Sequence, residues 1–206
     1  MPRPSAYYQI TEITNYLYLS GVPAVTADKL KRKRITCIIN ATIEQPNMYI
    51  PGVECVKVAI EDNVLARIDQ YFDTVADKIK SIKERGGRVL VHCVAGVSRS
   101  ASLCIIYLVK HENMSLRQAY YCVKAVRPII KPNIGFWRQM VDYERKYRGS
   151  SSVSMVQISG RDLVIPDVYC SDLKKSSVPL FRSPRLHYIS TPTSSLNQEF
   201  ILSEDS

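Results

Sequence analysis

The sequence predicts an α/β domain: a central, mainly parallel twisted sheet of about five strands flanked by helices. Three observations point there. Short runs with a two-residue apolar period alternate along the chain with longer runs that repeat at three- and four-residue steps. One short run, RVLVH (Arg88 to His92), is nearly continuously apolar, as in a strand buried on both faces. Strand and helix patterns follow one another in the order that lays helices over a parallel sheet.

The elements follow in order. QITEIT and YLYLSG read as two strands in a hairpin at a sheet edge. Ala24 to Arg34 reads as a helix ending in a basic cluster, KLKRKR (Lys29 to Arg34). That cluster is either a solvated helix end favoured by the helix dipole, or a docking patch or nuclear-import signal. ITCIINAT (Ile35 to Thr42) is a β-branched apolar run and so a buried strand, and VECVKVAI (Val53 to Ile60) alternates and is a further one. Ile68, Tyr71, Phe72, Val75, Ala76, Ile79 and Ile82 share one helix face, which Gly86 and Gly87 terminate. RVLVH follows, then a loop, then an apolar helix running through Lys110. Ser115 and Gln118 form a capping-box pattern that opens another helix, and Gly135 to about Tyr147 is the last. Phe136 and Trp137 are expected in the core.

The chain has 206 residues, 46% hydrophobic and 23% charged, which suits one core-forming domain with an appendage. The N-terminus lacks an apolar signal-peptide core. The longest apolar stretch, around Leu103 to Val109, is too short to span a bilayer. The cysteines (Cys37, Cys55, Cys93, Cys104, Cys122 and Cys170) show no metal-ligand spacing and read as reduced thiols. Net charge is +9. From Cys170 onward the tail has four basic and four acidic residues, so residues 1–169 hold the whole excess. A basic body favours anionic ligands: nucleic acid, or phosphorylated protein. Residues 170–206 are rich in Ser, Thr and Pro without a sustained period and read as a mobile tail. Within it, KKSSVPL (Lys174 to Leu180) resembles a kinase docking peptide, and Ser183 and Thr191 precede prolines.

The chemistry is concentrated in VHCVAGVSRSA, residues 91–101. It joins a strand to a helix. Gly96 permits a backbone conformation that other residues resist. A compact loop of Val94, Ala95, Gly96, Val97, Ser98 and Arg99 can turn several N–H groups inward at a helix N-terminus, an anion nest that fits a phosphate. Cys93 lies at its base, where inward N–H groups, the helix dipole and Arg99 favour a nucleophilic thiolate. The Arg99 fork can hold two phosphoryl oxygens at once, which lysine cannot copy. A random chain of this length would match the pattern on the order of once in 10⁴–10⁵.

HCVAGVSRS resembles the signature of the cysteine-dependent protein tyrosine phosphatases, and most closely the small atypical dual-specificity phosphatases of the 14, 18 and 21 subgroup. ITCIINATIE, YFDTVADKI, RPIIKPNIGFWRQMVDYE and IPDVY are also similar to that subgroup. The resemblance covers about residues 8–169, so residues 1–169 are expected to form the catalytic domain. It implies a protein tyrosine phosphatase-like fold and a two-step reaction needing no cofactor and no metal. Cys93 attacks phosphorus and an aspartate protonates the leaving oxygen. Water then hydrolyses the phosphocysteine. VKVAIEDN places Glu61 and Asp62 where the family carries its acid; the family pattern selects Asp62, with Glu61 the alternative. The resemblance also gives Ser100 a hydroxyl aimed at the sulfur and His92 a supporting role, holding the loop and tuning the thiolate. Cys104 is either core or the partner of Cys93 in a protective disulfide.

The Lys-Asn-Arg-Tyr segment that deepens the pocket of classical tyrosine-specific relatives is absent, so the cleft is expected to admit phosphothreonine as well as phosphotyrosine. Val94, Ala95 and Val97 lack the lysines of inositide phosphatases. Phosphorylated proteins are therefore the expected partners; the resemblance implies mitogen-activated protein kinases or their activators. No nucleic-acid-binding motif supports the nucleic-acid reading. The alternative is a catalytically weak phosphoprotein-binding scaffold on the same fold. Cys93, Arg99 and Asp62 argue against it, because a pure binder has no need of a thiolate. The expected location is cytoplasmic, or else nuclear or mitochondrial; the oligomeric state is left open.

Overall fold

The computed structural model describes residues 4–158, 163–170 and 187–188. β1 (Thr11–Glu12) and β2 (Leu17–Gly21) form the expected antiparallel hairpin. α1 (Ala27–Lys33) starts later than the apolar pattern suggests. Val22–Ala24 instead forms a 3-10 turn around Pro23, and Thr26, in extended backbone, caps the helix by accepting from the Lys29 N–H. Lys31, Arg32 and Lys33 fill its last turn, where the carbonyl end of the dipole favours cations. β3 (Cys37–Asn40) and β4 (Glu54–Lys57) follow. The apolar face that begins at Ile68 is helical throughout, but Ile68–Tyr71 is a 3-10 turn and α2 proper is Phe72–Glu84.

β5 (Val89–Cys93) is fully buried and feeds α3 (Arg99–His111), whose residues from Arg99 to Val109 are all buried. Such a helix, enclosed on every side, explains why its apolar residues do not confine themselves to one stripe. α4 (Leu116–Val126) opens on the expected capping box, with both reciprocal bonds between Ser115 and Gln118 present. α5 (Ile134–Arg148) is capped by Asn133 and ends at Gly149, in the left-handed region with φ 82.

The main sheet has the order β1-β2-β5-β3-β4. β2, β5, β3 and β4 run parallel, and β1 is the antiparallel edge. Alternate residues face opposite sides. Leu17, Leu19, Cys37, Ile39, Val89, Val91 and Cys93 join the large core formed with α2 to α5. Tyr18, Ile38 and Leu90 pack with Leu30 of α1 on the other side. The period places Cys93 on the helix-covered side, and His92, paired with Ser20 and Asn40 across neighbouring strands, on the opposite side.

After α5, β6 (Met155–Gln157) pairs antiparallel with β7 (Val164–Pro166). These three-residue strands carry too little periodicity to announce themselves in the sequence. Tyr169 docks this segment: the Trp137 indole donates to its hydroxyl at 2.7 Å, and that hydroxyl donates to the Pro132 carbonyl at 2.9 Å. Within the stretch whose composition suggests a mobile tail, β8 (His187–Tyr188) pairs antiparallel with β6. KKSSVPL, Ser183 and Thr191 lie outside the described residues. Among the described residues no helix is long and apolar enough to cross a membrane.

Candidate active site

The loop between β5 and α3 is compact because its carbonyls are all held from outside. Val94 O accepts from Val22 N at 3.0 Å, and Val97 O from Lys131 N at 2.9 Å. The buried Arg127 guanidinium donates to Ala95 O at 3.2 Å and Gly96 O at 2.8 Å. Ser98 O takes the Ser102 N–H and hydroxyl, each at 2.9 Å. With the carbonyls turned outward, the N–H sides of these peptides face the interior of the loop, as an anion nest requires. Gly96 sits at φ 67, and a Cβ there would meet Ser20 O at 2.5 Å, so neither the dihedral nor the space admits a side chain.

Cys93, 2% exposed, lies at the base of this nest. Its sulfur accepts from the Gly96 N–H at 3.3 Å and from the Ser100 hydroxyl at 3.1 Å. Both bonds set a donor directly against the sulfur. Ser100 stands in the first turn of α3, so its place beside the sulfur follows directly from where the helix begins.

Arg99 opens α3 and is 3% exposed. Its Nη1 donates to the Glu44 carboxylate at 2.8 Å and to the Ile60 carbonyl at 3.0 Å. Its Nε has no hydrogen-bond partner, though buried, and lies 3.9 Å from Asp62 Oδ2. Burial alone depresses a guanidinium, yet Glu44 and the neighbouring anions outweigh it and hold Arg99 above its ordinary value. A buried donor without an acceptor is costly, and a phosphoryl oxygen would satisfy it.

Asp62 faces the loop from the segment after β4. Its Oδ1 accepts from the Ser98 hydroxyl at 2.7 Å and from Asn133 Nδ2 at 2.9 Å. Both of these bonds fall on Oδ1, and Oδ2 faces Arg99 Nε at 3.9 Å. The Asn133 backbone N–H also donates to Ser98 Oγ at 3.1 Å, and its side-chain oxygen caps α5 at Phe136 N. One asparagine therefore ties together the Asp62 segment, the loop and a helix start. Gly135 lets the two segments touch: a Cβ there would lie 1.9 Å from Val64 O. Glu61, the alternative acid, is exposed and accepts from Asn63 at 2.7 Å instead.

His92 is 5% exposed, and its Nδ1 has no hydrogen-bond partner. Burial pushes the imidazole down to about 4, so it is neutral at pH 7 and lends no positive charge to the sulfur. Cys104 is fully buried in α3, and burial pushes its thiol up, as befits a core residue; both it and Cys93 are free thiols. Among the described residues no group of three or more His, Cys, Asp or Glu is placed to hold a metal ion.

The structure thus brings Cys93, Val94 to Arg99, Ser100 and Asp62 together around one nest, with His92 behind it. Glu44, Arg127 and Asn133 are additions that sequence reasoning missed. Each reaches the nest from a distant segment, and none belongs to the Cys93 loop motif itself. The nearest signal is that ITCIINATIE ends at Glu44 and RPIIKPNIGFWRQMVDYE holds Arg127 and Asn133, a similarity that marks the segments but not what their side chains position.

The dual specificity phosphatase catalytic domain model matches residues 17–146. Human dual specificity protein phosphatase 14 is 53% identical over 161 residues, covering 78% of this chain and 80% of the relative. Human dual specificity protein phosphatase 21 is 44% identical over 168 residues, covering 81% and 87%. Among solved structures, human DUSP28 superposes with a TM-score of 0.66 at 30% identity, covering 72% of this chain and 97% of that one.

Proposed function

The chain belongs to the dual-specificity phosphatase family and is a protein phosphatase, and from that premise we propose that it hydrolyses phosphotyrosine and phosphoserine or phosphothreonine through a phosphocysteine on Cys93. The observation that carries this reading is the sulfur of Cys93 held between the Gly96 N–H and the Ser100 hydroxyl at the base of a loop whose carbonyls all point away.

In the first step the Cys93 thiolate attacks phosphorus and the P–O bond to the substrate breaks. Asp62, protonated on Oδ2, gives that proton to the departing phenol or alcohol. Arg99, through its free Nε edge, and the loop N–H groups grip the equatorial oxygens, where their hydrogen bonds strengthen as charge develops. In the second step water attacks the phosphocysteine. Asp62, now a carboxylate, takes the water's proton, the P–S bond breaks, and the Ser100 hydroxyl donates to the departing thiolate. His92, neutral, supports the loop from behind. No step requires a metal or cofactor.

Residues 1–169 are the proposed catalytic domain and 170–206 its tail. Its proposed substrates are mitogen-activated protein kinases or their upstream activators, acted on in the cytoplasm or nucleus. Similarity to the 14, 18 and 21 subgroup supports that assignment, and the +9 charge suits phosphorylated partners. Matched phosphotyrosine and phosphothreonine peptides, assayed with EDTA present, test the reading. Release of phosphate from both is expected. Turnover of phosphotyrosine alone removes the dual specificity; turnover of neither by folded, reduced protein removes the mechanism.

A further inference from the structure

We propose that Glu44 is a positioning residue that orients Arg99 for the phosphoryl group, and that the buried pair Asn40 and Thr42 holds Glu44 in place to do so. The inference rests on the phosphatase reading and assigns it a residue that touches no reacting atom.

A guanidinium offers two usable edges. In Arg99 the Nη1 end is fixed by the Glu44 carboxylate at 2.8 Å and the Ile60 carbonyl at 3.0 Å. The Nε donor is left without a hydrogen-bond partner, with the Asp62 carboxylate 3.9 Å away. Fixing one end of a planar fork sets the direction of the other, so the free edge is aimed before substrate arrives. Arg99 is buried and cannot reorient through solvent. Its Glu44 hydrogen bond in turn holds the Glu44 carboxyl below the usual carboxylate range, which keeps it charged as the site works.

The segment bearing Glu44 is braced with unusual care. Asn40, at the end of β3, is 1% exposed and Thr42 is 0% exposed. The Asn40 amide donates to Gln45 O at 3.0 Å, Pro46 O at 3.2 Å and Asn47 Oδ1 at 3.1 Å. The Thr42 hydroxyl donates to Asn40 Oδ1 at 2.6 Å, and it accepts from the Gln45 N–H at 3.2 Å. The Ile43 N–H donates to the same Glu44 oxygen that meets Arg99, at 3.0 Å. Buried polar groups are tolerated only when their bonds are made, and these make them to the residues on either side of Glu44. The glutamate itself remains half-exposed, so its own burial does not explain the brace.

The test compares Glu44→Ala and Glu44→Gln with the intact protein, in wild-type and Arg99→Lys backgrounds, reading kcat and KM on an aryl phosphate. Thermal unfolding checks each fold. Glu44→Ala is expected to lower kcat roughly 10- to 100-fold with KM little changed, since a misaimed group costs most in the transition state. Glu44→Gln retains an acceptor for Nη1 and is expected to fall between the two, which keeps the test open if the alanine variant does not fold. In the Arg99→Lys background the alanine change is expected to do little more, because its effect runs through Arg99. A wild-type kcat in Glu44→Ala overturns the inference while leaving the phosphatase reading intact. So does a glutamine variant no better than alanine, or a loss that multiplies fully with that of Arg99→Lys. An inactive parent protein removes the phosphatase reading and this inference with it.

Discussion

Arg99 carries two jobs on one planar group, and its chemistry is open to a direct check. Lysine can keep the charge but not the fork. Arg99→Lys is therefore expected to lose about 10²- to 10³-fold in kcat, the scale for removing one preorganised donor from a developing anion. Asp62→Asn keeps the shape and removes the proton. The expected loss, roughly 10²- to 10⁴-fold for substrates with a poor leaving group, should shrink for an aryl phosphate whose leaving oxygen needs no proton. A uniform loss across leaving groups would reassign Asp62 to a purely structural role. Ser100, 3.1 Å from the sulfur, is proposed to act on the second step. Ser100→Ala should leave the first-turnover burst intact and slow the steady state, read by rapid mixing.

At the scale of elements, the site is a junction that several distant segments hold in shape. Arg127, near the end of α4, clasps the loop through Ala95 O and Gly96 O and reaches Thr11 Oγ1 at 3.0 Å as well. Removing the guanidinium leaves the buried Gly96 carbonyl and the partly buried Ala95 carbonyl without their donor, a cost of roughly 1–3 kcal/mol for a buried group, so Arg127→Ala should unfold at clearly lower urea concentration and lose activity with it. Gly135→Ala makes a narrower point. The added methyl collides with Val64 O, so the segment bearing Asp62 must move, and kcat should fall while the Cys93 loop still binds vanadate. The contrast between these residues and Cys93 explains what the sequence could reveal. Cys93, Gly96, Arg99 and Ser100 are consecutive parts of one turn, and a local turn leaves a local signature. The strands of the main sheet and the helices were legible because each buries one face or two. Glu44 lies 55 residues before Arg99, Arg127 31 after Gly96, and Asn133 71 after Asp62. Side chains that meet only through the fold carry no spacing rule, and a lone buried arginine reads in sequence as a surface one. The 3-10 turns before α1 and α2 were missed for a related reason: an apolar periodicity records which side is buried, not how tightly the turn is wound.

For the whole molecule, the burial of His92 predicts a loss of stability in acid. Burial holds the folded His92 at about 4, below the ordinary 6.5. Its neutral form is therefore favoured by folding. The stability this contributes is present above the unfolded value near 6.5 and is lost as pH falls through 4, to a total of roughly 3 kcal/mol. Urea midpoints at pH 7, 5 and 4 should drop steadily in the wild type and less steeply in His92→Gln. Equal slopes would place the acid sensitivity elsewhere.

The central claim is that Cys93 does the chemistry, without a metal, in the nest that the whole fold converges to build. The most direct measurement is hydrolysis of an aryl phosphate in the presence of EDTA by the intact protein and by Cys93→Ser. Turnover is expected to be indifferent to EDTA and almost wholly lost on the substitution, with the variant still folded and still binding phosphate. Activity that survives in Cys93→Ser, or that EDTA abolishes, would contradict it.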